Sequence, residues 1–141
     1  MRTVTKIEVI IEKDDGVLWA RIEDKGDFLP ATHAKNTKGV LQNLRTLIKG
    51  YQKHEGKKDS FWKKVNADTV EFKLRYDLQA FFEEHDYLKQ SKIAELAGIN
   101  SGLLRQYASG VKYPSPDQAK KIEDAIHKLA KELQAVSLWA A

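Results

Sequence analysis

An α+β chain in two parts is what this sequence predicts, and three observations carry the prediction. Apolar residues alternate in twos over residues 3–13 and again over 69–76, the period of a strand with one buried face. Between these runs, residues 37–54 carry a single helical stripe, and from Asp77 onward every periodic signal is helical. The expected order is therefore β-β-α-β over residues 1–76, a small sheet covered by one helix, and an all-α domain over residues 77–141.

Taken in order, the first strand places Ile7, Val9 and Ile11 opposite Lys6, Glu8 and Glu12. Asp14, Asp15 and Gly16 supply a turn that tolerates positive φ, and VLWARIE from Val17 follows as a second β-prone run, so the two should form an antiparallel hairpin. Residues 24–35, with Gly26 and Pro30, read as a loop. Thr37 is placed to cap a helix whose Val40, Leu41, Leu44, Leu47, Ile48 and Tyr51 share a face. Residues 54–60, HEGKKDS, read as a polar linker before a last strand that alternates Val70, Phe72, Leu74 and Tyr76 with charged neighbours. Asp77 should cap a helix burying Leu78, Phe81 and Phe82. The next helix turns Ile93, Leu96 and Ala97 inward and stops at Gly98, and Asn100 opens another that ends by Gly110. Ser115, Pro116 and Gln118 give a Ser cap, a proline in the first turn and a capping-box Gln, opening a helix that buries Ala119, Ile122, Ile126, Leu129 and Leu133.

The spacing over residues 89–120 is that of a helix-turn-helix, in which the second helix enters the DNA major groove while the first braces it on the backbone. Gly98 supplies a residue without a β-carbon at the tight point, and Ile99 the apolar plug beside it. Leu104 and Tyr107 hold the second helix to its domain, while Ser101, Gly102, Arg105 and Gln106 point away. An arginine can donate two hydrogen bonds to guanine O6 and N7, and a glutamine can pair with adenine N6 and N7. Ser101 and Gly102 offer small size and free N–H groups for phosphate. Gln90, Lys112 and Tyr113 are further candidates for phosphate contact. The competing structural reading is a plain four-helix cluster with Arg105 and Gln106 merely solvated.

Composition narrows the remaining classes. The 141 residues carry 24 basic and 20 acidic side chains, for a net charge of +4. Residues 1–58 hold 12 basic and 8 acidic residues, 59–84 hold 4 and 6, and 85–141 hold 8 and 6. The candidate DNA-binding part is thus only mildly basic, which fits a module that gains affinity by pairing. Zero cysteines exclude disulfides, thiolate metal sites and cysteine nucleophiles. The opening residues lack a secretion signal's apolar run and no stretch approaches a membrane span, so the expectation is a cytoplasmic chain with no membrane partner. His33, His54, His85 and His127 lie far apart, so no metal is expected. The helix over residues 38–54 carries Lys38, Arg45, Lys49 and Lys53 but no acid, so the carboxylate cluster of a two-metal nuclease is missing; neither catalytic residues nor a cofactor are expected. Sheet aromatics such as Trp19 read mainly as core, with Phe61 and Trp62 the better candidates for surface anchors. The apolar segment 135–141 is expected to pack in a dimer interface or pair as a short strand, against the alternative of docking on its own core.

The strand-rich opening KIEVIIEKDDGVLWARIE, the helix after Thr37, the run VEFKLRYDLQAFFEEH and the ending SGVKYPSPDQAKKIEDAIHKL together resemble a HicB-type antitoxin of bacterial type II toxin-antitoxin modules. The second half is similar to the Cro and C1 class of helix-turn-helix repressors. The resemblance covers nearly the whole chain. It implies a degraded ribonuclease-H-like first domain that wraps a HicA-type mRNA interferase. It also implies a second domain that binds operator DNA of its own operon, in a homodimer or higher oligomer. The alternative is a stand-alone repressor without a toxin, whose first domain dimerises or senses a ligand; a module acting on RNA or protein through its sheet is the remaining class.

Overall fold

Period-two alternation puts Ile7, Val9 and Ile11 on one face of β1 (Lys6–Asp14), where all three are buried. The computed structural model describes residues 6–140, so the part of the expected first strand at residues 3–5 lies outside the described residues. Asp15 and Gly16, with φ of 50° and 78°, form a two-residue turn between the paired Asp14 and Val17. Positive φ at both central positions matches the right-handed twist of the flanking strands and fixes the register of β2 (Val17–Arg21) on β1.

The expected β-β-α-β order gains one strand. Residues 31–34, read as loop, form β3 (Ala31–Ala34), antiparallel to β2 with Leu18 opposite Ala34 and Trp19 opposite His33. Ile22 N–H donates to Pro30 C=O at 3.1 Å and closes the loop between these strands at its base. The last strand, β4 (Glu71–Tyr76), runs parallel to β1, giving a four-stranded mixed sheet of order β3-β2-β1-β4. A parallel pair needs a crossover connection. Residues between β1 and β4 supply it, including α1 (Thr37–Lys53), which packs through Val40, Leu44 and Ile48. Leu47, expected inside, is substantially exposed. Asn36, rather than Thr37, caps α1, its Oδ1 accepting from Gly39 N–H at 2.8 Å.

The segment read as a polar linker is built structure. Two 3-10 turns, Glu55–Lys58 and Trp62–Lys64, flank Asp59, which is only 8% exposed. Its carboxylate accepts from Asp27 N–H (3.0 Å), Tyr51 hydroxyl (2.8 Å), Phe61 N–H (3.0 Å) and Trp62 N–H (3.1 Å). Donors to the ionised form stabilise it. The Asp27 N–H foremost, with the Tyr51 hydroxyl and the other two amides, holds this carboxyl down at about 2 against the opposing effect of burial. Tyr51, donating to that carboxylate, is pushed up to about 12. Gly26 is required here: its φ is 57°, and a β-carbon would stand 2.6 Å from Asp59 Oδ1. Trp62, expected as a surface anchor, is wholly buried, with its indole N–H donating to Lys25 C=O at 2.7 Å. Phe61 is partly buried, edge-on to it.

The chain divides into two compact units, Met1–Glu84 and His85–Ala141. The expected boundary after residue 76 moves because α2 (Leu78–Glu84) packs on β1 and β4. Asp77 Oδ1 caps it by accepting from Ala80 N–H at 2.7 Å, and Asp77 N–H donates to Ile11 C=O at 2.9 Å. Lys13 pairs with Glu83 at 2.8 Å, while Glu84 Oε1 accepts the backbone N–H and the hydroxyl of Thr37 at 2.6 and 2.8 Å. These polar ties fasten α2 to the sheet unit. The second unit holds α3 (Gln90–Ala97), α4 (Ser101–Ala108) and α5 (Pro116–Gln134), packed through Ile93, Ala94, Leu104, Tyr107, Ala108, Ile122 and Ala125. Leu96 and Leu133, both expected inside, are exposed. No described helix is long and apolar enough to cross a membrane.

Candidate nucleic-acid interface

The turn between α3 and α4 is set by one backbone conformation. Gly98 has φ 70° and ψ 33°; its N–H donates to Glu95 C=O and that of Ile99 to Ala94 C=O, the pair of bonds that satisfies the last carbonyls of a helix ending in the left-handed region. A β-carbon on Gly98 would meet nothing within 4 Å. The glycine is therefore needed for its positive φ, not for close approach of the helices as its sequence position suggested. Asn100 then starts α4, its Oδ1 accepting from Gly102 N–H at 2.8 Å and Leu103 N–H at 3.2 Å.

That cap corrects one expectation about phosphate binding. The Gly102 N–H is already used by Asn100, so Gly102 contributes space instead. A β-carbon there would lie 3.8 Å from Arg105 Nη2, which places the guanidinium beside the first turn of the helix. Residues three and four apart share a helix face. Ser101, Gly102, Arg105 and Gln106 accordingly lie along one side of α4, with Arg105 and Gln106 exposed and Leu104 and Tyr107 buried on the other.

Sequence reasoning missed what positions the loop after α4. Gln106 C=O accepts three hydrogen bonds: Val111 N–H at 3.0 Å, Lys112 N–H at 3.2 Å and Ser109 hydroxyl at 3.2 Å. Gly110, at φ 82°, allows the reversal. Lys112 and the 82% exposed Tyr113 are thereby held close to the end of α4, in reach of the surface that Arg105 and Gln106 present. A Ser-Gly pair after a helix signals such a reversal in sequence, but not which carbonyl it closes on. Gln90 is the first residue of α3 and is partly buried; no printed bond joins its side chain to α4. The start of α5 shows half of the expected capping box. Ser115 Oγ accepts from Gln118 N–H at 3.2 Å, whereas Gln118 Oε1 is buried without a partner.

Arg105 and Lys112 give this surface its positive charge, while Lys92 and Lys120 are paired with Glu95 at 3.3 Å and Asp124 at 3.0 Å. In the first unit, the sheet face opposite the core carries Trp19 against His33, ring centroids 4.7 Å apart, and Arg21 between Glu12 and Glu23 at 2.9 and 2.7 Å. Among the described residues, no three His, Asp or Glu side chains are grouped to hold a metal ion. Comparison with known proteins finds no matching family model, curated protein or solved structure.

Proposed function

We propose that this chain is a sequence-specific DNA-binding repressor of the helix-turn-helix class. Within that class, we read it as a HicB-type antitoxin that neutralises a HicA-type mRNA interferase and represses its own operon. The observation that carries the reading is α4 itself: a capped helix whose buried Leu104 and Tyr107 fix its rotation so that Arg105 and Gln106 face solvent. Arginine and glutamine on such a face have the hydrogen-bonding pattern for guanine and adenine edges. The three-residue turn from Gly98 to Asn100 supports α3 as the bracing helix. Lys112 and Tyr113 would contact phosphate, with Ser101 and Gln90 as further backbone contacts.

The ribonuclease-H-like assignment of the first unit is supported by its four-stranded mixed sheet with α1 packed against it, and a toxin would engage this unit. The exposed Trp19 and His33 offer an aromatic contact on the sheet for such a partner. The test is co-expression of the chain with the adjacent open reading frame. Retention of a small basic partner, whose RNA cleavage is blocked by this chain, is expected. Duplex-DNA binding with no retained partner would instead select the stand-alone repressor.

A further inference from the structure

The apolar stripe of α5 runs past the core that it helps to build. Ile122, Ile126, Leu129, Leu133 and Val136 follow one another at steps of four, three, four and three residues, the spacing of a helix-pairing seam. Its first half is packed: Ile122 is fully buried, and Ile126 and Leu129 are partly so. Its second half is bare, with Leu133 62%, Val136 59%, Leu138 95% and Trp139 87% exposed. The segment after α5 thus neither docks back on its own core nor forms a strand over its described residues, 135–140.

We infer that the outer half of α5, with residues 135–140, is the surface through which a second copy of this chain docks, as an isologous two-fold pair. Three features select that occupant. From Leu133 to Ala140 no residue is charged, so the partner must present apolar surface. Within the second unit the other large exposed apolar side chains are Tyr87, Leu96, Val111 and Tyr113; none lies in a comparable uncharged run, and the segment's nearest match is itself in another copy, the self-complementary arrangement of a two-fold interface. The area is sufficient: the four bare side chains expose on the order of 600 Å² per copy, and two copies reach about 1,200 Å², the lower bound of a specific interface. Charge argues against a lipid surface. The outer half of α5 mixes Lys128 and Lys131 with Glu132, and the inner half adds Glu123 and Asp124, whereas helices that lie on anionic membranes carry a predominantly basic polar face. Ala130 and Ala135 beside the seam are small enough for close helix approach.

The inference deepens the DNA-binding reading, since two copies supply two α4 helices for two half-sites, but its test needs no DNA. Sedimentation equilibrium of the full chain alone, up to about 100 µM, where a micromolar interface is filled, should show a dimer. The emission of Trp139 should shift to the blue as the dimer forms. Leu133→Glu combined with Trp139→Glu should weaken self-association by about 100-fold or more with an unchanged far-UV circular dichroism spectrum. The milder Leu133→Ala with Trp139→Ala should weaken it in the same direction, and covers the case in which the charged pair disturbs folding. A wild-type chain that stays monomeric, a variant pair that dimerises as well as wild type, or a monomer that co-sediments with anionic phospholipid vesicles would each overturn the inference. A dimer that ignores duplex DNA would sustain it and remove the DNA-binding reading instead.

Discussion

Gly98 and Gly50 place opposite demands on the same residue type. Gly98 sits at φ 70°, where an L side chain is strained although space is free, so Gly98→Val should destabilise the second unit by about 1–2 kcal/mol, read from urea unfolding. Gly50 lies within α1 with open space and no positive φ, so Gly50→Ala should stabilise the first unit by about 0.5–1 kcal/mol. Equal effects of the two changes would show that packing, not backbone conformation, governs both sites. Lys112 and Arg105 differ in a parallel way if the surface reads DNA. Lys112→Ala should weaken binding to every duplex and reduce the salt slope by about 1, since a phosphate contact carries no sequence information. The site residues themselves were legible in sequence, because Leu104 and Tyr107 mark the buried side of α4 and their neighbours must face out. The job of Gly102 was not legible: only the bond from its N–H to Asn100 shows that it leaves room instead of offering a donor.

Segment 55–64 shows where sequence patterning runs out at the scale of an element. Polar residues with a glycine read as linker, yet Asp59 gathers four donors and Trp62 fills the core behind it. No local period encodes a carboxylate whose partners come from residues 27, 51, 61 and 62. The short β3 was missed for a related reason, since four residues that include Thr32 and His33 become a strand only by pairing with β2. The long periodic elements, β1, β4, α1 and α5, were legible because burial repeats along them. Trp62→Ala should cost about 3–5 kcal/mol by calorimetry or denaturant titration, the usual effect of emptying a buried tryptophan site. Asp59 makes stability depend on acid. Its carboxyl lies at about 2 when folded against 3.8 when free, so between these values the unfolded chain binds more protons. The stabilisation is complete above the higher value and is lost as pH falls through the lower one. Asp59→Asn should therefore flatten the urea midpoint between pH 4 and 2 relative to wild type, and an unchanged slope would show that its four donors do not favour the ionised form.

Across the whole molecule, the α+β class and the two-part organisation were legible, while the boundary between the parts was not. α2 reads as one more helix in a helical run, but Asp77, Glu83 and Glu84 tie it to Ile11, Lys13 and Thr37. Charge also acts at this scale. With 8 basic against 6 acidic residues over 85–141, one copy of the second unit has little attraction for DNA beyond its immediate contacts. Affinity should therefore rise steeply with dimer formation, and disruption of the α5 pair should cost operator binding even though α4 is untouched. The most direct measurement is a fluorescence-anisotropy titration of the full chain on duplex DNA from upstream of its own gene and on a shuffled duplex of equal composition, for wild type and Arg105→Ala. The account predicts that wild type prefers its own sequence by about 10³-fold or more, and that Arg105→Ala loses about 10- to 100-fold on that sequence alone. Equal binding of the two duplexes by wild type, or no binding to either, would contradict it.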